Sequence, residues 1–410
     1  MAVLRSESTP GSSRWPFRHI AWVLAVSAFG AGIPTPLYAV YQQQYHFASG
    51  VLAVVFAAYT AGVLATMLLF APLSDIIGRK PVLYLGMSLT VASGVAFIFA
   101  SGVLTLALAR VVSGLAVGAT TSTATASMAS LEPRHDQHHV ARVSVAANFG
   151  GVAFGILLSG FLVEYAPAPT HLVFVVLIVV SLAGMIAVAT TRETVARRPK
   201  ALRARVQRLL VPKTVRLPFW VAAGSLAACY SIYGYFGALA PTFLRVGLNL
   251  ANPAGSATLI ALMFGLAAIT QLALGQVRDR RALLIGLPII LGATVFLTTS
   301  LPLTSFALFV VGDAALGIGI GFAYMGSVTL IDRVSPSSLR GEILSAFFVV
   351  GYLALAIPTI GVGATADRFG LLAAASSFGI ALALSVAVLY GVTLRTPTPP
   401  GGEGRPRNSR

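Results

Sequence analysis

Residues Ala71–Leu83 read APLSDIIGRKPVL and separate two apolar runs. Asp75, Arg79 and Lys80 bring three charges into a hydrophobic region, Gly78 permits a tight reversal, and Pro81 suits the first turn of a new helix. The stretch therefore reads as a polar hinge between two apolar helices. Its charges alone fit two readings: a loop whose positive residues set membrane topology, or a hinge with a conformational task.

The surrounding chain shows what the hinge joins. Of 410 residues, 57% are hydrophobic and only 10% are charged, where soluble domains carry roughly a quarter. That composition predicts a polytopic, all-α membrane protein. With about 20 apolar residues needed per crossing, the sequence divides into twelve spans. The first six cover about 20–41, 49–73, 81–100, 103–128, 139–163 and 170–190. After a basic break come about 217–244, 255–277, 282–300, 303–330, 340–364 and 369–394. The predicted organisation is a disordered cytoplasmic head over 1–18, a six-helix bundle over 19–190 and a basic cytoplasmic linker over 191–216. A second six-helix bundle covers 217–395 and a disordered cytoplasmic tail 396–410. Basic residues before the first run also fit a signal peptide, but the length of that run and the spans after it favour an uncleaved helix. The linker fits either an amphipathic helix on an anionic leaflet, with Leu202, Val206, Leu209 and Leu210 on one side, or a solvated tether.

The net charge of +16 does not point to nucleic acid, because the Lys and Arg residues sit in short loops and tails. With the head inside, the outer loops hold only Arg245 and Arg368. This asymmetry predicts an integral plasma (inner) membrane protein with both termini cytoplasmic. The single cysteine, Cys229, excludes an intrachain disulfide framework and argues against structural zinc. His135, His138 and His139 share an inner loop and read as solvated. No phosphate-binding loop, nucleotide motif or HExxH pattern is present, so neither a cofactor, a metal nor an enzyme is expected.

An internal repeat runs through the chain. Asp75 corresponds to Asp279 within Gly275–Leu283, GQVRDRRAL, and Arg110, Gly114 and Gly118 correspond to Asp313, Gly317 and Gly321. Gly160 pairs with Gly361 and Pro36 with Pro241; every offset lies between 201 (361 − 160) and 205 (241 − 36). Near-constant spacing in chain order marks an internal repeat with one copy on each side of the basic break.

Arg110 and Asp313 are the two charges well inside spans, each about eight residues from the outer start of its helix, or roughly 12 Å deep. A charge there costs several kcal/mol unless paired or hydrated. Asp313, the carboxylate in mid-span, is the candidate proton carrier. Pro34 and Pro36 loosen the first span, which is tolerated beside a cavity or packed neighbours. Thr35 and Tyr38 in that span, with Asn148, Tyr230, Tyr233, Gln271 and Tyr324, are the candidate cavity residues. They suggest an apolar site with hydroxyl and amide handles for small amphiphilic or neutral molecules, although aromatics near span ends also fit an interfacial belt. Gly114, Gly118, Gly151, Gly155, Gly317 and Gly321 are assigned to close helix packing.

The hinge resembles the loop between helices 2 and 3 of the major facilitator superfamily, Gly-x-Leu-Ala-Asp-x-x-Gly-Arg-Lys. Leu73, Asp75, Gly78, Arg79 and Lys80 match, while Ala71 and Ser74 depart from it. Arg110-x-x-Ser113-Gly114 is similar to that family's helix 4 motif, Arg-x-x-Gln-Gly. The run from Gly151 through Gly155 to Gly160 resembles the antiporter motif Gly-x-x-x-Gly-Pro-x-x-Gly-Gly, with Ile156 for Pro and Ser159 for Gly. The resemblance covers about residues 18–394. It implies two pseudo-symmetric six-helix bundles, with helices 1, 4, 7 and 10 around a central cavity across which Arg110 and Asp313 meet, either as a static ion pair pinning the halves together or as a pair that breaks and reforms. It also implies that Asp75, Gly78, Arg79 and Lys80, with Asp279 in the second copy, form a conformational hinge meeting the start of helix 11 near Ser338–Gly341. In related antiporters the helix 4 Arg is associated with proton coupling. The expected function is proton-coupled efflux of a small drug-like compound, sugar or metabolite by alternating access, from a monomer in the lipid bilayer. Uptake, facilitated diffusion and a non-transporting sensor or scaffold remain the alternatives.

Overall fold

In hydrocarbon a backbone N–H or C=O has no water to bond, so an apolar run long enough to cross satisfies its backbone internally as a helix. The computed structural model describes residues 15–70, 73–133, 136–194, 210–250, 252–274, 279–336 and 339–395. Among these residues twelve helical segments are long and apolar enough to cross a membrane. Their order is α1 (Trp15–Gly32) and α2 (Pro34–Tyr45), which share the first span, then α3 (Ser49–Phe70), the short α4 (Leu73–Ile77) and α5 (Arg79–Ile98). Then come α6 (Val103–Leu131), α7 (Gln137–Tyr165) and α8 (Pro169–Ala189). The second half runs α9 (Arg216–Ala238) and α10 (Ala240–Gly247), which share the seventh span, then α11 (Pro253–Leu274) and α12 (Asp279–Ser300). It ends with α13 (Phe306–Val334), α14 (Arg340–Phe369) and α15 (Leu371–Arg395). An even number of crossings puts Trp15 and Arg395 at the same end of the bundle, here the near end; the opposite end is the far end.

One boundary differs from expectation. Residues 15–18, assigned above to the disordered head, are the first turn of α1. Phe17 is buried and stacks on His139 of α7, with ring centroids 5.4 Å apart, so packing extends the helix into the basic flank. The rest of the head, the tail and linker residues 195–209, including most of the amphipathic segment, lie outside the described residues.

The first and seventh spans are both interrupted. Pro34 and Pro36 follow Ile33, and Pro241 follows Leu239. Each proline removes a donor and crowds the carbonyl four residues earlier, here Gly30, Gly32 and Gly237. Sequence symmetry at these prolines is thus matched by symmetry of backbone breaks.

Each half is held together by backbone-close helix packing. In the first half α3 lies on α6 and α1 on α7; in the second α11 lies on α13 and α9 on α14. A methyl group on Gly114 would strike the Tyr59 carbonyl and one on Gly118 the Thr66 side chain, both on α3. Gly317 and Gly321 meet the Met263 carbonyl and Thr270 on α11 in the same way. The contacted residues repeat at 204 (263 − 59 and 270 − 66), so the internal repeat extends to the partner helix. One assignment changes. Gly160 meets Ala257 and the Pro253 carbonyl, and Gly363 meets Ala53 and the Ser49 carbonyl, whereas nothing lies within 4 Å of a methyl on Gly361. Gly363, not Gly361, is the structural counterpart of Gly160, at an offset of 203 (363 − 160).

The halves meet along α7 against α11 and α3 against α14. At the far end the Asp367 carboxylate of α14 accepts from the backbone N–H groups of Ser49 and Gly50, at 2.9 and 2.8 Å, capping α3 of the other half. Thr242 of α10 donates to Gln42 of α2 at 2.8 Å. At the near end Arg142 of α7 donates to the Leu272 carbonyl of α11 at 2.8 Å. Outside, residues such as Phe154, Val179, Ile186 and Trp220 present an exposed apolar surface, which suits lipid rather than water.

Candidate functional site

The breaks in the first and seventh spans bring small residues and free backbone beside a cavity between the halves. Gly32 and Thr35 line it from one break and Gly237 from the other. Its volume is about 110 Å³. Asn148 and Phe149 of α7 enter from the first half, and Tyr230 and Tyr233 of α9 with Tyr324 of α13 from the second. Phe149 joins the two sides, its ring centroid 5.4 Å from that of Tyr233 and 5.2 Å from that of Tyr324. Tyr233 stacks on Phe264 of α11 at 5.0 Å, and Tyr230 meets Tyr352 of α14 edge-on at 5.1 Å. No acidic side chain lines the cavity among the described residues.

Arg110 supplies the charge. It is 1% exposed and lies in the cavity wall. Its Nε donates to the Tyr38 hydroxyl, and Nη1 donates to the Ala31 carbonyl at 3.3 Å, next to the break in the first span. Nη2 has no partner. The guanidinium carbon lies 5.1 Å from the ring centroid of Tyr38, 5.6 Å from Phe56 and 5.7 Å from Tyr59. Aromatic faces stabilise a cation, more so when water is excluded. The arginine is held by rings, a hydroxyl and a carbonyl.

Asp313 does not hold it. The expected Arg110–Asp313 pair is not formed here: no bridge between them falls within 4.0 Å, and both Asp313 oxygens lack a hydrogen-bond partner. The physical reason is helix geometry. Asp313, Gly317 and Gly321 recur every fourth residue and so share one face of α13, and both glycines on it meet α11. That face turns toward its own half, as does the equivalent face of α6 that carries Arg110, Gly114 and Gly118; the long Arg110 side chain still reaches the cavity wall, while the short Asp313 side chain is absent from it.

The other candidates divide by position. Thr35, Asn148, Tyr230, Tyr233 and Tyr324 line the cavity together, while Tyr38 is not part of the lining and bonds Arg110. Gln271 is not in the lining either; it is buried in the last turn of α11, with Nε2 unpartnered. Gly151 and Gly155 press against the Ala25 and Phe29 carbonyls of α1, fixing α7 against the first span. Missing from the sequence reading are Tyr59 and Tyr352, which line the cavity from α3 and α14. Each is the one tyrosine of its span, and a hydroxyl inside an apolar helix needs a polar neighbour, a signal that was available.

The hinge lies apart from the cavity. Gly78 has φ +102°, a conformation that favours glycine. The N–H groups of Arg79 and Lys80 both donate to Glu193 at 3.0 Å, so a carboxylate caps the start of α5. Arg79 Nη1 donates to the Ala126 carbonyl and the Ser130 hydroxyl of α6 at 2.8 and 2.6 Å, and Lys80 to the Ala189 carbonyl of α8 at 2.9 Å. These contacts tie the hinge to its own half. The side chains of Asp75 and Asp279 lie outside the described residues.

The sequence model of the Major Facilitator Superfamily matches residues 20–359. The chain belongs to the major facilitator superfamily. Among solved structures it is similar to the human organic anion transporter MFSD10 (TETRAN), with a TM-score of 0.68 and 14% identity, over 93% of this chain and 100% of that one. No curated protein sequence matches the chain. A superfamily member of this fold is an integral membrane transporter and not an enzyme, and its partners are a small-molecule substrate and lipid.

Proposed function

We propose that the chain is a proton-coupled exporter of small amphiphilic compounds, working as a monomer by alternating access in the plasma membrane with both termini cytoplasmic. The observation that carries this reading is the aromatic cavity between the halves, closed at the far end by the Asp367 cap and the Gln42–Thr242 bond. These closures consist of a few exposed or half-buried polar bonds, which water replaces when they open. Membership of the superfamily supports transport, and the positive-inside bias supports the orientation. Likeness to MFSD10 at 14% identity supports the fold, and the cavity lining supports the substrate class.

Asp313 is the proposed proton carrier. A buried carboxyl without a fixed counter-charge changes its hydration whenever its surroundings rearrange, and its proton affinity changes with it. The test is substrate-induced proton flux in vesicles reconstituted with the full chain, across a library of single- and double-ring compounds. Protons moving opposite to substrate are expected. Movement in the same direction would make the protein an uptake system, and no compound-driven flux would return it to the sensor or scaffold reading.

A further inference from the structure

We infer that the central cavity selects a single-ring aromatic anion and that Arg110 is its anchor; this rests on the transport reading above and adds the substrate class. Four observations converge. The cavity contains a guanidinium and no carboxylate among its described lining residues. Arg110 is buried and its Nη2 has no hydrogen-bond partner among the described residues. Asp313, the other charge in mid-span, makes no bridge to it. The walls are aromatic, with Phe56, Tyr59, Phe149, Tyr230, Phe264 and Tyr352 presenting rings.

The chemistry discriminates among ligand charges. A cationic ligand would meet an already uncompensated buried cation. A neutral ligand would leave Nη2 as it is, or offer it only a dipole. An anion supplies the missing counter-charge, and a guanidinium accepts a planar or trigonal oxyanion through two parallel donors. A flat ring attached to that anion fills the space between aromatic walls by offset or edge contacts. The cavity volume of about 110 Å³ is on the scale of cavities that hold one benzene ring. Thr35 and Asn148 add neutral hydroxyl and amide groups and no charge.

Tyr38 and Ala31 give the site a link to the rest of the molecule. They occupy Nε and Nη1, and they lie on either side of the break at Ile33. An oxyanion that takes Nε–H from Tyr38 therefore frees α2, the same half-helix that carries Gln42 to the far-end bond with Thr242. Binding at Arg110 is coupled in this way to opening of the far end.

The test uses three isosteric probes on the full-length protein: benzenesulfonate, benzenesulfonamide and N,N,N-trimethylanilinium. Titration calorimetry in lipid nanodiscs should show benzenesulfonate bound about tenfold more tightly than benzenesulfonamide, the difference between an ion pair and a charge–dipole contact at the same guanidinium. Trimethylanilinium should not compete. Arg110→Gln should bring sulfonate and sulfonamide to within about twofold of each other. If that variant does not fold, Tyr38→Phe is the alternative: it frees Nε and should tighten sulfonate several-fold without changing sulfonamide. Equal binding of the first two probes, preferential binding of the cation, no sulfonate binding, or an unchanged ratio in Tyr38→Phe overturns the assignment. Sulfonate bound with the stated preference but never moved in vesicles leaves the anion site standing and refutes transport. Flux of the cation without the anion does the reverse.

Discussion

Arg110 and Asp313 occupy equivalent places in the two halves, 203 residues apart (313 − 110), yet their surroundings differ. Arg110 meets Tyr38, Ala31 and a ring cage; Asp313 meets no hydrogen-bond partner. Residues without a shared partner contribute to stability additively, within about 0.5 kcal/mol. The double variant Arg110→Gln/Asp313→Asn is therefore expected to lower the midpoint of thermal unfolding by the sum of the single effects. A coupling above about 1 kcal/mol would restore the ion pair as a feature of this conformation. The residue identities and their depth were legible in the sequence. Their separation was not, because it depends on which face of α13 turns toward α11.

At the scale of elements, glycine positions and helix caps make the sharper claims. Gly114→Ala and Gly317→Ala each place a methyl against a neighbouring helix carbonyl, and overpacking of this kind costs about 1–3 kcal/mol. Gly361→Ala meets open space and should be neutral or stabilising by up to about 1 kcal/mol through helix propensity. Thermal unfolding of the three variants in detergent separates these outcomes; equal destabilisation would contradict the packing. The far-end caps are unequal as well. Asp367 caps α3, while its counterpart Glu164, 203 residues earlier (367 − 164), makes no hydrogen bond among the described residues. The cap of α11 is instead local, with Asn252 accepting from Gly255 N–H at 2.7 Å. A carboxylate at a helix N-terminus is worth about 0.3–1 kcal/mol when exposed. Asp367→Asn should therefore shift the halves toward the far-end-open form two- to five-fold, and Glu164→Gln should not. Spin-label distances across the far end provide the measurement, and equal responses would remove Asp367 as a latch.

For the whole molecule the decisive question is coupling. If Asp313 carries the proton, Asp313→Asn abolishes proton-driven accumulation while downhill exchange continues, because the residue is not among those lining the cavity. Gradient-driven and downhill flux in the same vesicle preparation distinguish this from a folding defect, in which both fall together. Intact accumulation in Asp313→Asn would place the proton site elsewhere.

The sequence by itself determined the environment, the number of crossings, the pseudo-symmetry and the polar turn between the second and third spans. These follow from local properties: apolar length, prolines that remove donors, and glycines and charges repeated at a constant offset. It placed Thr35, Asn148, Tyr230, Tyr233 and Tyr324 at a common cavity, because polar and aromatic side chains within apolar spans gather where water or ligand can reach. Only the tertiary structure separated Arg110 from Asp313, took Gln271 out of the cavity lining, admitted Tyr59 and Tyr352, and paired Gly160 with Gly363. Each of those depends on the rotation of one helix about its own axis relative to its neighbours. In a span that is apolar on every side, the hydrophobic pattern leaves that rotation undetermined, and backbone-close packing at a few glycines fixes it.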